Sequence, residues 1–316
     1  MLPEFSKINS LINNAERVLL LGHQNPDGDC LGAICALFFY LKKQGKFAQA
    51  VFNEELNTAY DYLPDFREII TTWENFNPLA FDLIIVLDAS YFSRTGLDEK
   101  ILSQPDRPAV LNLDHHASND GFGDVSLVNS RASSTCEIIY DFFDYLNFPL
   151  TEPLATALLT GLQTDTGSFV YPNTTSHTLQ IAAHLMRAGA QVNLINQRLF
   201  KNKNLANFKF LGQVLNQLHF NEKFNILSLV LTAEDLAAPE ADFDGLTNFL
   251  QQIKEPEIIM VLKEQTVGEI KVSLRSKTID VAAWAKKFGG GGHRRAAGFL
   301  LAGQLIKNEK GSWQVE

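Results

Sequence analysis

Short apolar runs that alternate with helical patterns dominate the first half of the chain and limit the folds open to it. Four runs have the length of buried strands, at residues 17–21, 48–52, 83–87 and 109–113. Helical patterns lie between or after them, at residues 31–43, 134–145, 153–162 and 176–187. Strands that are apolar on both faces are typical of a parallel sheet that is covered on both sides. The first half is therefore predicted to be an α/β domain with a mostly parallel sheet.

The second half shows a different pattern. A segment with Lys201 to Asn204 near its middle mixes polar and apolar residues and predicts a helical connector. Beyond it, strand patterns at 224–231, 257–262 and 268–275 and helical patterns at 245–253 and 280–287 predict a smaller α+β domain. A chain of 316 residues exceeds the size at which a single core keeps growing. We therefore predict a first domain at 1–190, a helical connector at 191–217 and a second domain at 218–316.

Composition limits the partners and the compartment. The net charge of −9 argues against a broad basic surface for long duplex nucleic acid, although bound metal ions can reverse the charge of a local site. No apolar run is long enough to span a membrane, and the N-terminus lacks the pattern of a signal peptide. Cys30, Cys35 and Cys136 form no Cys-x-x-Cys pair. We therefore expect a cytoplasmic protein without a disulfide framework or a zinc-thiolate site.

Acidic and histidine side chains stand just after the apolar segments. They are His23, Asp27 and Asp29 after the first strand, Asp88 after the third, Asp114, His115 and His116 after the fourth, and Asp165 in the segment 163–167. In an open α/β sheet, ligands bind at the edge formed by the carboxyl ends of the strands. We therefore expect these groups to converge on one cluster of metal ions.

Each of these positions has a simpler structural explanation when it is taken alone. Asp27, Asp29 and Asp88 could cap helices, and Asp165 could lie at a helix end. The triplet at 114–116 could be exposed polar residues without a role. Adjacent histidines in a strand point to opposite sides, however, so one of the two could bind metal while the other faces the substrate or a supporting acid. It is improbable that the residues at all four segments are there for such separate structural reasons. The sequence therefore favours the metal cluster.

The composition of the cluster indicates which metals and which chemistry it suits. Four carboxylates and at least two imidazoles are typical ligands of hard or borderline cations such as Mn²⁺ or Mg²⁺. Four Asp carboxylates balance the charge of two divalent cations, which leaves room for an anionic phosphate. Two ions roughly 3.5–4 Å apart are a common arrangement for phosphoester hydrolysis, because they activate water and stabilise the charge on the attacked phosphorus.

The second half carries a pattern that is typical of anion binding. Four consecutive glycines at 289–292 can expose backbone N–H groups, and Ser273 to Lys277 ends a strand with a guanidinium and two hydroxyls. Apolar patterns on both sides argue against a flexible linker, and the P-loop signature is absent. The expected substrate-binding residues are Arg275, Ser276, Gly290, Gly291, Gly292, His293 and Arg294.

Taken in order, these motifs resemble the DHH phosphoesterase family with a C-terminal DHHA1 domain. The resemblance spans nearly the whole chain and rests on HQNPDGD at 23–29, Asp88, DHH at 114–116, Asp165, SLRS at 273–276 and GGGGHRRAAG at 289–298. Cys30 and Ala33 stand where the family often has Ala and Ser, and neither change removes a ligand.

The resemblance implies two divalent ions, most often Mn²⁺, with Mg²⁺ or Co²⁺ as alternatives. It assigns His23, Asp27 and Asp88 to one ion. It assigns Asp29, Asp88, His115 and Asp165 to the other ion, so that Asp88 bridges the two. It also makes His116 the group that faces the substrate and Asp114 an acid that orients a histidine. The first domain would hold the metals, the second would bind the substrate, and the active site would lie in the cleft between them.

The size and domain order are similar to the stand-alone members of the family, the bifunctional oligoribonucleases and 3′-phosphoadenosine 5′-phosphate phosphatases. We therefore predict an enzyme that cleaves di- to pentanucleotides such as pApA to mononucleotides and acts on 3′-phosphoadenosine 5′-phosphate to give AMP. One alternative is a cyclic di-AMP phosphodiesterase. The alternative from a different class is a non-catalytic nucleotide-binding sensor. A homodimer is left open.

Overall fold

The chain divides into two units, Met1–Lys201 and Asn202–Glu316. The structure, a computed structural model, describes residues 2–72, 74, 76–199, 204–238, 243, 246–266, 268–307 and 313–316. Within these ranges no helix is long and apolar enough to cross a membrane. The boundaries at 190 and 217 stay predictions.

Unit 1 contains a sheet of five parallel strands and six α-helices among its described residues. The strands are β1 (Arg17–Leu21), β2 (Phe47–Ala50), β3 (Leu83–Leu87), β4 (Ala109–Asp114) and β5 (Val125–Val128). The helices are α1 (Leu2–Asn14), α2 (Gly28–Lys43), α3 (Thr135–Tyr145), α4 (Glu152–Asp165), α5 (Ser176–Arg187) and α6 (Val192–Leu199). Short 3-10 helices lie at Thr58–Tyr60, Phe66–Glu68, Pro78–Ala80, Phe92–Thr95 and Glu99–Ser103.

The strand order of this sheet, β2-β1-β3-β4-β5, explains where a ligand can bind. From β1 the chain first crosses to β2 on one side and then returns to β3 on the other side of β1. The order therefore reverses between β1 and β3, and the connections that leave the carboxyl ends of these two strands diverge. Such a reversal leaves a crevice at the carboxyl edge of a parallel sheet.

Both faces of the sheet are buried, as the apolar strands predict. Leu20, Ile85 and Leu113 point toward the helices, in a core that α1 to α5 share. Leu19 and Ile84 point to the opposite face, which packs against Phe81, Phe92 and Ile101 of the connecting segments. A fully buried aliphatic side chain contributes about 1.5–3 kcal/mol to folding, so this two-sided burial holds the strand ends in place.

Helix α2 packs closely against α4, and this contact also supports the carboxyl edge of the sheet. Asp27 caps α2, because its Oδ1 accepts hydrogen bonds from the backbone N–H groups of Asp29 and Cys30. Gly32 lets the two helices approach each other, since a Cβ at this position would lie only 2.6 Å from the carbonyl oxygen of Ala157 in α4.

Unit 2 is a mixed sheet with helices on its faces. Its helices are α7 (Leu205–Leu215), α8 (Ala233–Ala237), α9 (Leu246–Leu250) and α10 (Val281–Lys287). Its strands are β6 (His219–Asn221), β7 (Ile226–Leu231), β8 (Ile258–Thr266), β9 (Glu269–Ser276), β10 (Gly291–His293), β11 (Ala296–Ala302), β12 (Leu305–Lys307) and β13 (Trp313–Val315). Six strands form the sheet β10-β11-β9-β8-β7-β6, in which only β7 and β8 are parallel among the described pairs.

The predicted fold class, an α/β unit with a parallel sheet followed by a mixed α+β unit, is confirmed. The sequence patterns did not indicate β5, whose four residues follow a segment rich in glycine and aspartate. Within the predicted connector the structure has two helices, α6 and α7, and Lys201 to Lys203 lie outside the described residues. Gly245, where a helix was predicted to begin, also lies outside them.

Replacing Gly32 with alanine should destabilise unit 1 because the added methyl group would collide with the backbone of α4. We expect a loss of about 1–3 kcal/mol in the free energy of unfolding, measured by urea denaturation. Gly212→Ala is the control, because a Cβ there would meet no heavy atom within 4 Å. That change should stabilise α7 by about 0.5–1 kcal/mol. Equal stability of the Gly32→Ala variant and the unchanged protein would contradict the close packing.

Candidate active site

The side chains of unit 1 that were predicted to bind metal come together at the carboxyl edge of its sheet. His23 follows β1, Asp88 follows β3 directly, and His115 follows β4, and these three strands are neighbours. The two remaining contributions come from helix ends, since Asp29 lies in the first turn of α2 and Asp165 is the last residue of α4. Hence three strand ends and two helix ends converge on one point.

Asp88 is at the centre of this cluster. Its Oδ2 lies 3.5 Å from Nε2 of His23, and its Oδ1 lies 3.6 Å from Nε2 of His115. The residue is 2% exposed, and its backbone adopts a left-handed φ of 57°. A left-handed φ is uncommon for a residue other than glycine, and such strain is concentrated at functional sites. The two oxygens of one buried carboxylate therefore face two different imidazoles.

Around His115 lies a second group of acids. Its Nε2 is 3.4 Å from Oδ2 of Asp165 and 4.0 Å from Oδ2 of Asp29. Asp27 belongs to the side of His23, where its Oδ1 lies 3.9 Å from Nε2 of the imidazole. The structure therefore brings all six predicted metal ligands together. Asp27 also serves as the helix cap that was the structural alternative.

The charged groups of the cluster lie close enough to shift one another's pKa values. Burial lowers the pKa of His23, but the carboxylates of Asp27 and Asp88 outweigh it and raise the pKa to about 10. Burial would raise the pKa of Asp88, yet the neighbouring imidazoles hold it below its usual range. Burial and the charge of Asp88 raise the pKa of Asp29 to about 7. Buried carboxylates in such close proximity repel each other, and a bound cation would relieve that repulsion.

The donor set fits divalent cations. Potential ligand atoms form three overlapping groups, and within each group the atoms lie within 4.8 Å of one another: His23 with Cys30 and Asp88, Asp88 with His115 and His116, and Asp29 with His115 and Asp165. Asp88 belongs to two of these groups, as a bridging ligand would. The sequence analysis treated Cys30 only as a small residue, whereas the structure puts its thiol beside His23 and Asp88.

Asp114 and His116 form a pair next to the metal cluster. Nδ1 of His116 donates a hydrogen bond to Oδ1 of Asp114 at 2.7 Å, and Oδ1 also accepts the backbone N–H of His115 at 2.8 Å. Asp114 is fully buried, whereas His116 is partly exposed. The buried acid thus holds the ring of the histidine that is nearer to the solvent, and the supporting role of Asp114 in the reaction stays a prediction.

Several residues that shape the site were not found in the sequence analysis. The N-terminus of α3 holds Asp29, because the backbone N–H groups of Thr135 and Cys136 donate to its two oxygens at 2.6 and 2.9 Å. The Thr135 hydroxyl donates to Oδ1 of Asp88 at 3.0 Å. Gly161 provides the space, since a Cβ there would lie 2.5 Å from Oδ1 of Asp29. A Ser-x-x-Glu pattern at 134–137 marks this helix start, but it does not reveal what the helix contacts.

The glycine run of unit 2 joins α10 to β10, and its four members have different local roles. The N–H groups of Gly289 and Gly290 cap the C-terminus of α10, because they donate to the carbonyl oxygens of Lys286 and Ala285. Gly290 must be small because a Cβ would collide with the carbonyl oxygen of Gly298 in β11. Gly292 has a φ of 135°, which side chains rarely adopt. Gly291 has an ordinary φ, and a Cβ there would meet nothing within 4 Å.

The other residues predicted to bind substrate also lie in this part of unit 2. Arg275 pairs with Ala296 across β9 and β11, so it is close to the strand that follows the glycine run. The hydroxyl of Ser276 donates to Oε1 of Glu257 at 2.9 Å and accepts the N–H of Ile279 at 2.8 Å, which braces the turn after β9. Arg294 is exposed, and the side chain of His293 lies outside what the structure describes.

The matches to known families agree with this arrangement. Residues 17–162 match the model of the DHH family, N-terminal domain, and residues 211–309 match the DHHA1 domain. The chain belongs to the DHH family, and its second unit carries the DHHA1 domain. The resemblance noted in the sequence is thereby confirmed.

Individual relatives resemble the chain over most of its length. It is 31% identical over 287 residues to the bifunctional oligoribonuclease and PAP phosphatase NrnA of Thermus thermophilus, covering 90% of this chain and 84% of that protein. The protein of the same name from Mycoplasma genitalium is 31% identical over 296 residues, covering 92% and 90%. The crystal structure of an exopolyphosphatase-related protein from Bacteroides fragilis has the same fold, with a TM-score of 0.84, 22% identity and coverage of 95% of this chain and 91% of that one.

Gly291→Ala tests whether the open space at the glycine run serves a ligand. The unit should fold with unchanged stability, because the methyl group meets no atom of the chain. Affinity for a mononucleotide, the ligand class predicted from the sequence, should fall about tenfold, which corresponds to about 1.4 kcal/mol. Calorimetric titration measures the affinity, with Gly212→Ala as the matched control. Unchanged affinity in the Gly291→Ala variant would show that the space is not used.

Proposed function

We propose that this chain is a metal-dependent phosphoesterase that hydrolyses short oligonucleotides to mononucleotides and 3′-phosphoadenosine 5′-phosphate to AMP. The observation that carries the proposal is the position of Asp88, one buried carboxylate between two imidazoles at the carboxyl edge of a parallel sheet. The substrate class rests on the two NrnA relatives, which are named as oligoribonucleases and PAP phosphatases.

Two divalent ions would be held by residues of unit 1. His23, Asp27 and Asp88 would hold one ion, and Asp29, Asp88, His115 and Asp165 the other. When bound, such ions polarise the phosphate and lower the pKa of water. Mn²⁺ is the proposed metal, because imidazole and carboxylate donors together suit it. The cytoplasmic location stays a prediction.

The side chains of this protein supply orientation and charge around the metals. His116, held by Asp114, would present its Nε2 side to the phosphate and stabilise negative charge that develops there. Thr135 keeps Asp88 in place through its hydroxyl, and the N-terminus of α3 keeps Asp29 in place. In unit 2, Arg275, Arg294, His293 and the backbone at Gly291 would bind the nucleotide and its terminal phosphate.

Asp88→Asn tests the metal centre with little change in shape. The amide removes the negative charge and one acceptor oxygen between the two imidazoles. We expect the turnover of pApA with Mn²⁺ to fall at least about a hundredfold, since even indirect partners of a metal cost 10–100-fold. Calorimetry should also show fewer bound Mn²⁺ ions per chain.

Asp120→Asn is the matched control for this change, because Asp120 is exposed and lies close in sequence to the Asp-His-His triplet. Turnover and Mn²⁺ stoichiometry should both stay within about twofold of the unchanged protein, as expected for surface substitutions. Undiminished turnover in the Asp88→Asn variant would refute the metal-dependent mechanism.

A panel of substrates separates the proposed activity from its alternatives. The values of kcat/KM should be high for pApA and for 3′-phosphoadenosine 5′-phosphate and lower by at least about tenfold for cyclic di-AMP, a difference of about 1.4 kcal/mol in transition-state stabilisation. The reverse order would favour a cyclic dinucleotide phosphodiesterase. Nucleotide binding without any turnover in Mn²⁺ would favour a non-catalytic sensor.

A further inference from the structure

A buried amide connects the loops that carry the predicted catalytic groups. Nδ2 of Asn119 lies 2.7 Å from Oδ2 of Asp114, 2.8 Å from Oδ1 of Asn112 and 3.2 Å from the carbonyl oxygen of Ala89, and these three acceptors share its two hydrogens. Asn119 is 8% exposed, and Asn112 and Asp114 are fully buried. One side chain therefore bonds to the segment that follows β3 and to two residues of β4.

These contacts complete the set of donors around Asp114. Its Oδ1 is occupied by the N–H of His115 and by Nδ1 of His116, and its Oδ2 is occupied by Asn119. Removing one donor from a buried carboxylate is costly, because the oxygen that loses it is left without its hydrogen bond. The orientation of Asp114, and through it that of the His116 ring, thus depends on the amide of Asn119.

We propose that Asn119 is a positioning residue that locks Asp114, so that the His116 ring keeps its Nδ1 proton on Asp114 and presents Nε2 to the substrate. The inference rests on the proposed function for what His116 does, and it adds a residue that none of the predicted roles include. Asn119 reaches the reaction only through Asp114 and His116.

The carbonyl side of the same amide has a separate, structural role. Its Oδ1 accepts the N–H of Gly121 at 2.8 Å, which shapes the loop after the triplet. Asn119→Asp therefore keeps an acceptor for Gly121 and replaces the donor toward Asp114 with an oxygen. Asn119→Ser is the second variant, because it removes the donor without adding a charge if the aspartate variant folds poorly.

A double-substitution cycle with His116→Ala tests the proposal. With His116 present, Asn119→Asp and Asn119→Ser should each lower kcat on pApA by about 10–100-fold, with KM within about threefold. In the His116→Ala background the same changes should lower the remaining kcat by less than about threefold, because residues that act as a unit are not additive. Equal losses in both backgrounds would overturn the proposal and leave Asn119 as a structural residue.

Ser118→Ala is the matched control within the same loop. The Ser118 hydroxyl donates to the Ser90 hydroxyl at 3.1 Å, so it also joins the loops after β3 and β4, through a partner other than Asp114. Its effect on kcat should stay within about threefold and should be the same with and without His116. Binding of Mn²⁺ to the Asn119 variants should stay within about threefold of the unchanged protein. A loss of metal affinity that matches the loss of kcat would also overturn the proposal.

A spectroscopic measurement keeps the test independent of turnover. Nitrogen NMR of the protein loaded with Mg²⁺ shows which ring nitrogen of His116 carries the proton. Nδ1 should be protonated in the unchanged protein and in Ser118→Ala, and a mixture of the two tautomers should appear in both Asn119 variants. An unchanged tautomer in the variants would refute the positioning role. If no substrate is hydrolysed but the tautomer shifts as expected, the proposed function fails and the positioning role stands.

Discussion

The burial of several carboxylates at one sheet edge is the constraint on which the rest of unit 1 depends. Asp88 is nearly inaccessible to solvent and stands between His23 and His115, with Asp29 nearby. Burying such charges without partners would cost several kcal/mol per ion. The fold provides the partners through neighbouring strand ends, through the start of α3 and through histidines whose pKa values are raised by the same acids. The same contacts therefore compensate the buried charges and shape the local structure.

The strand order leaves a crevice beside these buried carboxylates, at the carboxyl edge of the sheet. The reversal between β1 and β3 opens the sheet edge at the position of His23 and Asp88. The helices on one face and the irregular segments on the other fix the strands, so the ligands lie on rigid supports. The most solvent-accessible of the three histidines, His116, is held from behind by a buried acid and a buried amide. Rigid donors around a partly exposed group are the arrangement expected of a preorganised site.

The sequence predicted the parts of this site that depend on strand ends. Apolar runs place His23, Asp88 and His115 after strands, and parallel strands bring such residues to one edge. It did not reveal Thr135, whose contacts depend on how distant segments pack, or Asn119, whose contacts depend on how the loop after β4 folds back on that strand. Thr135 and Asp29 are 106 residues apart in the chain. The glycine run was predicted to expose four N–H groups, whereas two of these groups cap the C-terminus of α10. Short β5 lacked the length that would separate it from a loop.

We propose that Asp88 would hold two metal ions in one site. Electron paramagnetic resonance of the protein loaded with two equivalents of Mn²⁺ tests this claim directly, because neighbouring Mn²⁺ ions couple magnetically. We expect the spectrum of a coupled pair in the unchanged protein and the loss of that coupling in Asp88→Asn. Isolated, uncoupled Mn²⁺ in the unchanged protein, or coupling that survives the substitution, would contradict it.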